Sequence, residues 1–325
     1  MKVLALSLFS GGLDSIISVK VIREQGIAVE GITYETPFFS ADKARSAAKL
    51  IDLPLSVLNF TEEHLEMLKN PRYGYGKNMN PCIDCHTLML KKTGALMTDM
   101  GADFIFTGEV LGQRPMSQGR QSLHVVAKNA GYPDVILRPL SARLLPETKP
   151  EKEGKVDRQR LLAIEGRGRK VQMALAARYG ISDYAAPAGG CLLTDPMFTK
   201  RLRDLMDQIK DPPIRQIELL KYGRHFRINE SIKIIVGRNS ADNETIETLS
   251  RPGDALIQME NLPGPSVLIV DGGNEESRLL AARLCALYSG VKEDERAEVI
   301  CSICGKPDRF PVHPMDRENA ARLIL

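Results

Sequence analysis

The sequence predicts an α/β protein, a parallel sheet covered on both faces by helices, followed by a second, smaller α+β domain. Three observations carry that expectation. Over roughly the first 185 residues, apolar runs of strand length alternate with helical repeats, the pattern of strand–helix–strand units. The first apolar run, Leu4-Ala5-Leu6-Ser7-Leu8-Phe9, turns through two glycines into a helical repeat. Beyond residue 225, short β-rich runs separated by Gly, Pro and Asn turns replace the alternation.

Taken in order, strands are expected at 3–9, 28–34, 55–60 and 104–107, with a short one at 135–137. The first helix, 15–25, follows from Ile16, Ile17, Val19, Val21 and Ile22 at helical spacing. The second strand ends in Ile32-Thr33-Tyr34, which aims Thr33 and Tyr34 out of the sheet's carboxyl edge, where open α/β sheets bind ligands. Further helices are expected at 40–51, 61–68 (opened by Thr61, with Glu63 and His64 behind it), 83–100 (with Pro81 suited to its first turn), 117–130 and 158–179. The organisation read from this is a first domain at 1–185 and a linker at 186–225 holding Cys191 and a basic helix at 198–209. A β-rich module at 226–290 follows, and then a tail at 291–325 with Cys301-Ser302-Ile303-Cys304, read as a hairpin with an appended helix. Within the module, strands are expected at 231–236, 254–259 and 266–270 and a helix at 275–288.

Composition bounds the function classes. The chain has 325 residues, 43% hydrophobic and 26% charged, which is ordinary for a globular protein with ample core. No apolar run reaches the roughly 18 residues of a membrane span, and the first strand begins at once without a leader, so the cytoplasm is the expected location. Six cysteines, at 82, 85, 191, 285, 301 and 304, include two Cys-x-x-Cys pairs; in that setting the spacing favours metal or sulfur chemistry over disulfides. A net charge of +3 does not announce a nucleic-acid partner, but its distribution is uneven. Residues 138–178 hold 11 Lys/Arg against 5 Asp/Glu, and 200–238 hold 10 against 5, basic surface able to meet phosphates.

The turn Ser10-Gly11-Gly12-Leu13-Asp14-Ser15 carries the most chemistry. A strand that enters a helix through two glycines leaves unpaired N–H groups at the helix's positive end, an anion site. Gly11 and Gly12 let a phosphate approach, and the Ser10 and Ser15 hydroxyls add donors. No Gly-Lys-Ser/Thr follows, so this is not a Walker A loop. The string resembles the PP-loop of the N-type ATP pyrophosphatases, adenine nucleotide alpha hydrolase-like in fold. The resemblance implies that ATP is split between its α- and β-phosphates, with Mg²⁺ held in part by Asp14.

Asn80-Pro81-Cys82-Ile83-Asp84-Cys85-His86 puts two cysteines at a helix start, where the positive end is expected to favour thiolate. This segment resembles the cysteine helix of the tRNA 2-thiouridylases, which assigns sulfur transfer to Cys85. Thr107-Gly108-Glu109-Val110-Leu111-Gly112-Gln113-Arg114-Pro115-Met116-Ser117-Gln118 resembles a stretch of the tRNA 4-thiouridine synthetases that lines the nucleotide site, and Arg138-Pro139-Leu140 looks like that family's next landmark. Gly108 is expected to let a purine pack closely, and Gln113, Ser117 and Gln118 to offer neutral donors and acceptors. In Ala188-Gly189-Gly190-Cys191, a cysteine on approachable backbone matches the second reactive cysteine of the thiouridylases. Cys82, Cys85 and Cys191 together resemble the set that holds a [4Fe-4S] cluster in iron–sulfur tRNA thiolation enzymes, leaving one iron for an exogenous sulfide. A persulfide route needs only Cys85 and Cys191.

Val236-Gly237-Arg238-Asn239 and Leu262-Pro263-Gly264-Pro265-Ser266 resemble the RNA-binding module of the NFACT proteins, with Pro265 interrupting the second motif. Arg224, Arg227, Lys233 and Arg238 are then expected on phosphates. Cys301 and Cys304 have the spacing of half a zinc knuckle, with Cys285 and His313 in reserve. The resemblances imply an ATP-dependent tRNA sulfurtransferase of the 4-thiouridine or 2-thiouridine type. Its partners would be tRNA and a sulfur donor (sulfide or a persulfide carrier), with no membrane and a homodimer left open. Two alternatives stand beside it: a PP-loop enzyme activating a small-molecule carboxylate or amide, and a non-catalytic RNA-binding protein.

Overall fold

A computed structural model describes residues 3–114, 116–184 and 190–325. The chain forms two compact units, Met1–Thr194 and Asp195–Leu325.

In the first unit, β1 (Leu4–Leu8) leads to α1 (Leu13–Arg23), β2 (Ala28–Glu35), α2 (Asp42–Leu50), β3 (Leu55–Asn59) and α3 (Thr61–Lys69). Then come α4 (Cys82–Asp99), β4 (Phe104–Thr107), α5 (Arg120–Ala130), β5 (Ile136–Leu137), α6 (Lys149–Lys152) and α7 (Lys170–Arg178). The five strands pair in parallel in the order β3-β2-β1-β4-β5. Successive side chains of a strand face opposite sides, and both sides are filled: Ala5, Phe104 and Phe106 join the core with α1, while Leu6 and Ile105 face the side of α4. Fully burying side chains such as Ile16, Ile17 and Phe106 contributes about 1.5–3 kcal/mol each, which drives α1 and the sheet together. The chain leaves β1 toward β2 on one side and arrives at β4 on the other. A crevice therefore opens at the carboxyl ends of β1 and β4, between their following loops.

Two sequence expectations are corrected here. The helix expected at 158–179 is only α7 plus a short 3₁₀ turn at Arg158–Arg160. Between them the backbone bonds across the fold, Leu162 N–H to the Pro139 carbonyl (2.9 Å), Ile164 to Leu140 (2.8 Å) and Gly166 to Leu111 (2.8 Å), and Gly166 takes φ +79°. Buried Leu161 and Ile164 fasten this stretch to the core, so their apolar spacing mimicked a helix. Tyr34 does not face a ligand. It is buried against Phe60, and its hydroxyl is 3.0 Å from Thr93 Oγ1 on α4. Burial, opposed by the Thr93 hydrogen bond, pushes its phenol up to about 12. Thr33 is buried beside it.

The second unit contains α8 (Pro196–Gln208), α9 (Ile214–Leu219), β6 (Arg224–Arg227), β7 (Lys233–Val236), α10 (Ser240–Leu249) and β8 (Ala255–Met259). β9 (Val267–Ile269), α11 (Glu275–Tyr288), β10 (Ala297–Ile303), β11 (Lys306–Val312) and α12 (Arg317–Leu323) complete it. Its six strands are antiparallel, in the order β11-β10-β8-β9-β7-β6. α11 lays Ala281, Ala282 and Cys285 into a core with Ile234, Ile257, Val267 and Val299. Asp195 caps α8 by accepting from Phe198 N–H at 2.7 Å, with Pro196 in the first turn. The stretch expected as a linker thus supplies α8 to this unit, and the expected tail supplies β10 and β11 to its sheet.

Tyr34→Phe removes one buried hydrogen bond and leaves Thr93 its bond to the Met89 carbonyl (2.8 Å). The expected outcome is a loss of about 1 kcal/mol of stability in urea unfolding, with ATP affinity by calorimetry unchanged.

Candidate active site

The crevice is built from the turn after β1. Gly11 sits at φ +73°, where a Cβ would also run into the Lys43 carbonyl, so only glycine fits. Gly12 opens α1 from extended backbone, and no side chain caps the helix. The N–H groups of that first turn are therefore not taken up by a capping side chain. Ser15 Oγ donates to the Gly12 carbonyl (2.8 Å) and lies 3.4 Å from Ser10 Oγ, so both hydroxyls line the turn. Asp14, also in the first turn, accepts from Gln113 Nε2 on Oδ2 at 3.0 Å, while its Oδ1 is buried with no partner among the described residues. An orphaned carboxylate oxygen beside a set of N–H donors fits a divalent cation carried by a polyphosphate.

A Cβ at Gly108 would lie 2.6 Å from Ser15 N and 2.7 Å from Ser15 Cα, so the glycine seats the end of β4 on α1. Ser117 and Gln118 are buried, Gln118 Oε1 without a partner, and Gln118 closes the loop through its backbone to Gly112 (2.8 Å) and Arg114 (2.9 Å).

The three cysteines of the first unit act on one another electrostatically. Cys82 and Cys85 occupy the first turn of α4 and the residue that follows it, and Asn80 Nδ2 points at Cys82 Sγ (3.3 Å). Residues 188 and 189 of the Ala-Gly-Gly-Cys motif lie outside the described residues, but Cys191 is held. Leu192 N–H donates to the Phe38 carbonyl (2.9 Å), and Asn78 Nδ2 to the Thr194 carbonyl (2.7 Å). Charge on Cys85 is opposed by burial first, then by Cys191, Cys82 and Asp84, which together push its thiol well above the usual range. Cys191 is pushed up to about 11, chiefly by burial and against pulls from Leu193 N–H and Arg114. The helix start therefore does not deliver a ready thiolate, because desolvation outweighs the dipole at a buried sulfur. Among the described residues no group of His, Cys, Asp and Glu closes around a single metal ion.

Phosphate turn and thiols are joined by two adjacent residues: Gln113 touches Asp14, and Arg114 acts electrostatically on Cys191. A buried network missed in the sequence braces this junction. Glu109 and Arg138, each 7% exposed, pair at 3.0 Å, and Glu109 also meets His86 Nδ1 (3.0 Å) and accepts from Thr107 Oγ1 (3.0 Å). Arg138 additionally donates to the Leu123 carbonyl (3.2 Å). Burial pushes the Glu109 carboxyl up, but Arg138, His86 and Thr107 outweigh it and hold it down at about 2. The signal lay in Arg138-Pro139-Leu140 and in His86 beside Cys85, but partners 23 and 29 residues apart carry no local pattern.

The second unit revises the expected phosphate contacts. Arg227 and Lys233 both bind Asp204 (2.6 and 3.1 Å), Arg238 binds Asp242 (2.6 Å), and Arg224 stacks on Tyr288 with its guanidinium carbon 4.6 Å from the ring centre. Burial, against the pull of Asp204, brings Lys233 down to about 8. The two loop motifs do meet. Asn239 caps α10, and Asn243 donates to the Gly264 carbonyl (3.2 Å) and accepts from Ser266 N–H (3.0 Å). The other cysteines do not converge: Cys285 is buried in α11, Cys301 is buried on β10, and Cys304 is exposed in the following turn at φ +51°. His313 is exposed beyond β11.

Residues 2–143 match the family model described as thiamine biosynthesis protein (ThiI), and residues 223–324 that of the NFACT protein RNA binding domain. The first unit is thus similar to the ThiI family over most of its length, and the second to the NFACT RNA binding domain. The tRNA-specific 2-thiouridylase MnmA of Geotalea uraniireducens is 27% identical over 53% of this chain and 48% of its own length. That of Clostridium acetobutylicum is 34% identical over 30% of this chain and 33% of its own. The chain therefore spans between a third and a half of these curated relatives. A solved 4-thiouridine synthetase–RNA complex with bound ATP is 19% identical, with a TM-score of 0.36 over 66% of this chain and 52% of that one.

Glu109 ties its stability to pH. Its carboxyl is depressed in the folded state, so the stabilisation is complete above about pH 4.3 and drains away as pH falls toward about 2. Glu109→Gln leaves Arg138 buried without its counter-charge. The expected outcome, by chemical unfolding at several pH values, is a loss of about 3 kcal/mol at neutral pH and a flatter acid limb.

Proposed function

We propose that this chain is an ATP-dependent tRNA sulfurtransferase that activates a uridine carbonyl oxygen with AMP and replaces it with sulfur, giving a 4-thiouridine or a 2-thiouridine. One juxtaposition supports the reading: Gln113 binds Asp14 in the first turn of α1, and the adjacent Arg114 acts on Cys191, which acts in turn on Cys85. The matched relatives, named as tRNA-specific 2-thiouridylases, and the RNA-binding module support the substrate.

In the first step the uridine carbonyl oxygen attacks the α-phosphorus of ATP. The new O–P bond forms as the bond to the bridging oxygen breaks, and pyrophosphate departs into the first turn of α1. Charge collects on the departing oxygens, where the first-turn N–H groups of α1, which no side chain caps, and the hydroxyls of Ser10 and Ser15 would meet it. Asp14 Oδ1 would hold the Mg²⁺ that neutralises that charge. Gln113 fixes the Asp14 side chain through Oδ2. In the second step a sulfur nucleophile adds to the activated carbon, and AMP leaves with the former carbonyl oxygen. Cys82, Cys85 and Cys191 would hold the [4Fe-4S] cluster, which when bound presents a sulfide on the iron that no cysteine ligates. On the persulfide route, Cys85 carries the outer sulfur to the carbon, Cys191 attacks the remaining sulfur–sulfur bond, and a reductant restores the resulting disulfide. Burial raises both thiol pKa values and so disfavours free thiolate at Cys85 and Cys191.

Four variants test this. Cys85→Ala and Cys191→Ala are expected to lose at least about 100-fold in thiolation, read by nucleoside mass spectrometry, while ATP affinity is kept. Asp14→Asn is expected to lose RNA-dependent pyrophosphate release. Cys82→Ala separates the two sulfur routes: loss of iron and acid-labile sulfide from anaerobically purified protein, together with activity, favours the cluster, whereas an iron-free and fully active variant favours the persulfide. Full thiolation by the Cys191→Ala protein removes both of that residue's proposed tasks.

A further inference from the structure

The loop that precedes the cysteine helix, Pro71-Arg72-Tyr73-Gly74-Tyr75-Gly76-Lys77-Asn78, is not used by the chemistry above. It presents two aromatic rings to the outside, Tyr73 at 41% and Tyr75 at 38% exposure. A large exposed ring costs hydration, so two of them on one short loop, flanked by exposed Arg72 and Lys77, mark a contact surface. Neither cation is paired with a carboxylate among the described residues.

The loop is not loosely hung. Tyr75 Oη donates to the Leu68 carbonyl (2.6 Å), Asn129 Nδ2 donates to Tyr73 Oη (2.7 Å), and Tyr73 N–H donates to Asp84 Oδ2 on α4 (3.0 Å). Gly76 N–H bonds the Asn80 carbonyl (2.9 Å). Both phenol tips are thus tethered while the rings remain exposed, and the ordering entropy that a flexible loop would lose on binding is already spent. Arg72 lies with its guanidinium carbon 5.5 Å from the Tyr73 ring centre, a cation–π arrangement that extends the flat surface. The same loop runs into the thiol site, because Asn78 holds the Thr194 carbonyl beyond Cys191 and Asn80 meets Cys82 Sγ.

We propose that Tyr73 and Tyr75 are a stacking platform for unpaired bases of the RNA next to the uridine being modified, with Arg72 and Lys77 on the flanking phosphates. The proposal rests on the RNA-thiolation reading and gives it a specificity element on the first unit. A base inside a duplex hides its carbonyl edge from a crevice, so an enzyme acting on that edge needs the base splayed out, and flat side chains stabilise its unstacked neighbours. The contact tolerates different sequences because every base has a π-face. The expected preference is for single-stranded or looped RNA over a continuous duplex.

The test uses the full chain and a fluorescein-labelled oligouridylate, read by anisotropy, with a labelled RNA duplex in parallel. Tyr73→Ala and Tyr73→Leu are each expected to weaken oligouridylate binding about tenfold, and Tyr75→Ala similarly, while Tyr73→Phe stays within about twofold. Leucine keeps the bulk and loses the flat ring, so its agreement with alanine separates stacking from packing. Duplex binding should be unchanged throughout. Oligouridylate binding by Tyr73→Leu and Tyr75→Ala equal to the wild type overturns the platform, as does a wild type that does not bind oligouridylate. Thiolation of a tRNA transcript by the wild type is measured alongside. If it succeeds while the platform variants bind normally, only the platform falls; if it fails, the parent reading falls.

Discussion

Two neighbouring residues at the exit of β4 hold the first unit's crevice together. Gly108 lets the backbone lie directly on the first turn of α1, where a single methyl group would meet Ser15 N at 2.6 Å. Glu109 then reaches in the other direction, to His86 on α4 and to Arg138 after β5. One dipeptide therefore fixes the phosphate turn, the cysteine helix and the edge of the sheet relative to each other. Such a buried carboxylate is tolerable only because its contacts are complete. Removing it from water is costly, and its near neighbours Arg138, His86 and Thr107 repay that cost with charge and hydrogen bonds.

The same desolvation acts on Cys85 and Cys191 with less compensation. Cys85 has no cation within hydrogen-bond reach to favour its charged form, and Arg114 gives Cys191 only partial relief. A sulfur held protonated in a protected crevice is a poor target for adventitious oxidation and a poor nucleophile on its own.

How legible was this in the chain? Strand and helix identities in the first unit were, because Ala5/Leu6 alternation and the Ile16–Ile22 spacing report burial directly, and the Ser10–Ser15 string reports the turn. What failed had a long-range cause. The stretch 161–166 kept helix-like apolar spacing because Leu161 and Ile164 face the core, but its backbone partners lie at Leu111, Pro139 and Leu140. Tyr34 was placed at the right strand end, yet its hydroxyl was claimed by Thr93, 59 residues away. Arg227 and Lys233 read as free cations until α8, from a stretch expected as a linker, brought Asp204 between them. Strand β6, helix α10 and helix α9 were not anticipated, being short or polar elements ordered by their neighbours.

Where the first unit ends has a practical corollary. Its last helix closes at Arg178, yet Cys191 lies beyond it and is pinned back by Leu192 on Phe38 and by Asn78 on Thr194. A fragment trimmed at the final helix would keep the sheet and the nucleotide turn while discarding one of the three sulfurs. Sulfur chemistry in a dissected first unit therefore requires an end point no earlier than Thr194, sixteen residues past the last regular structure of α7.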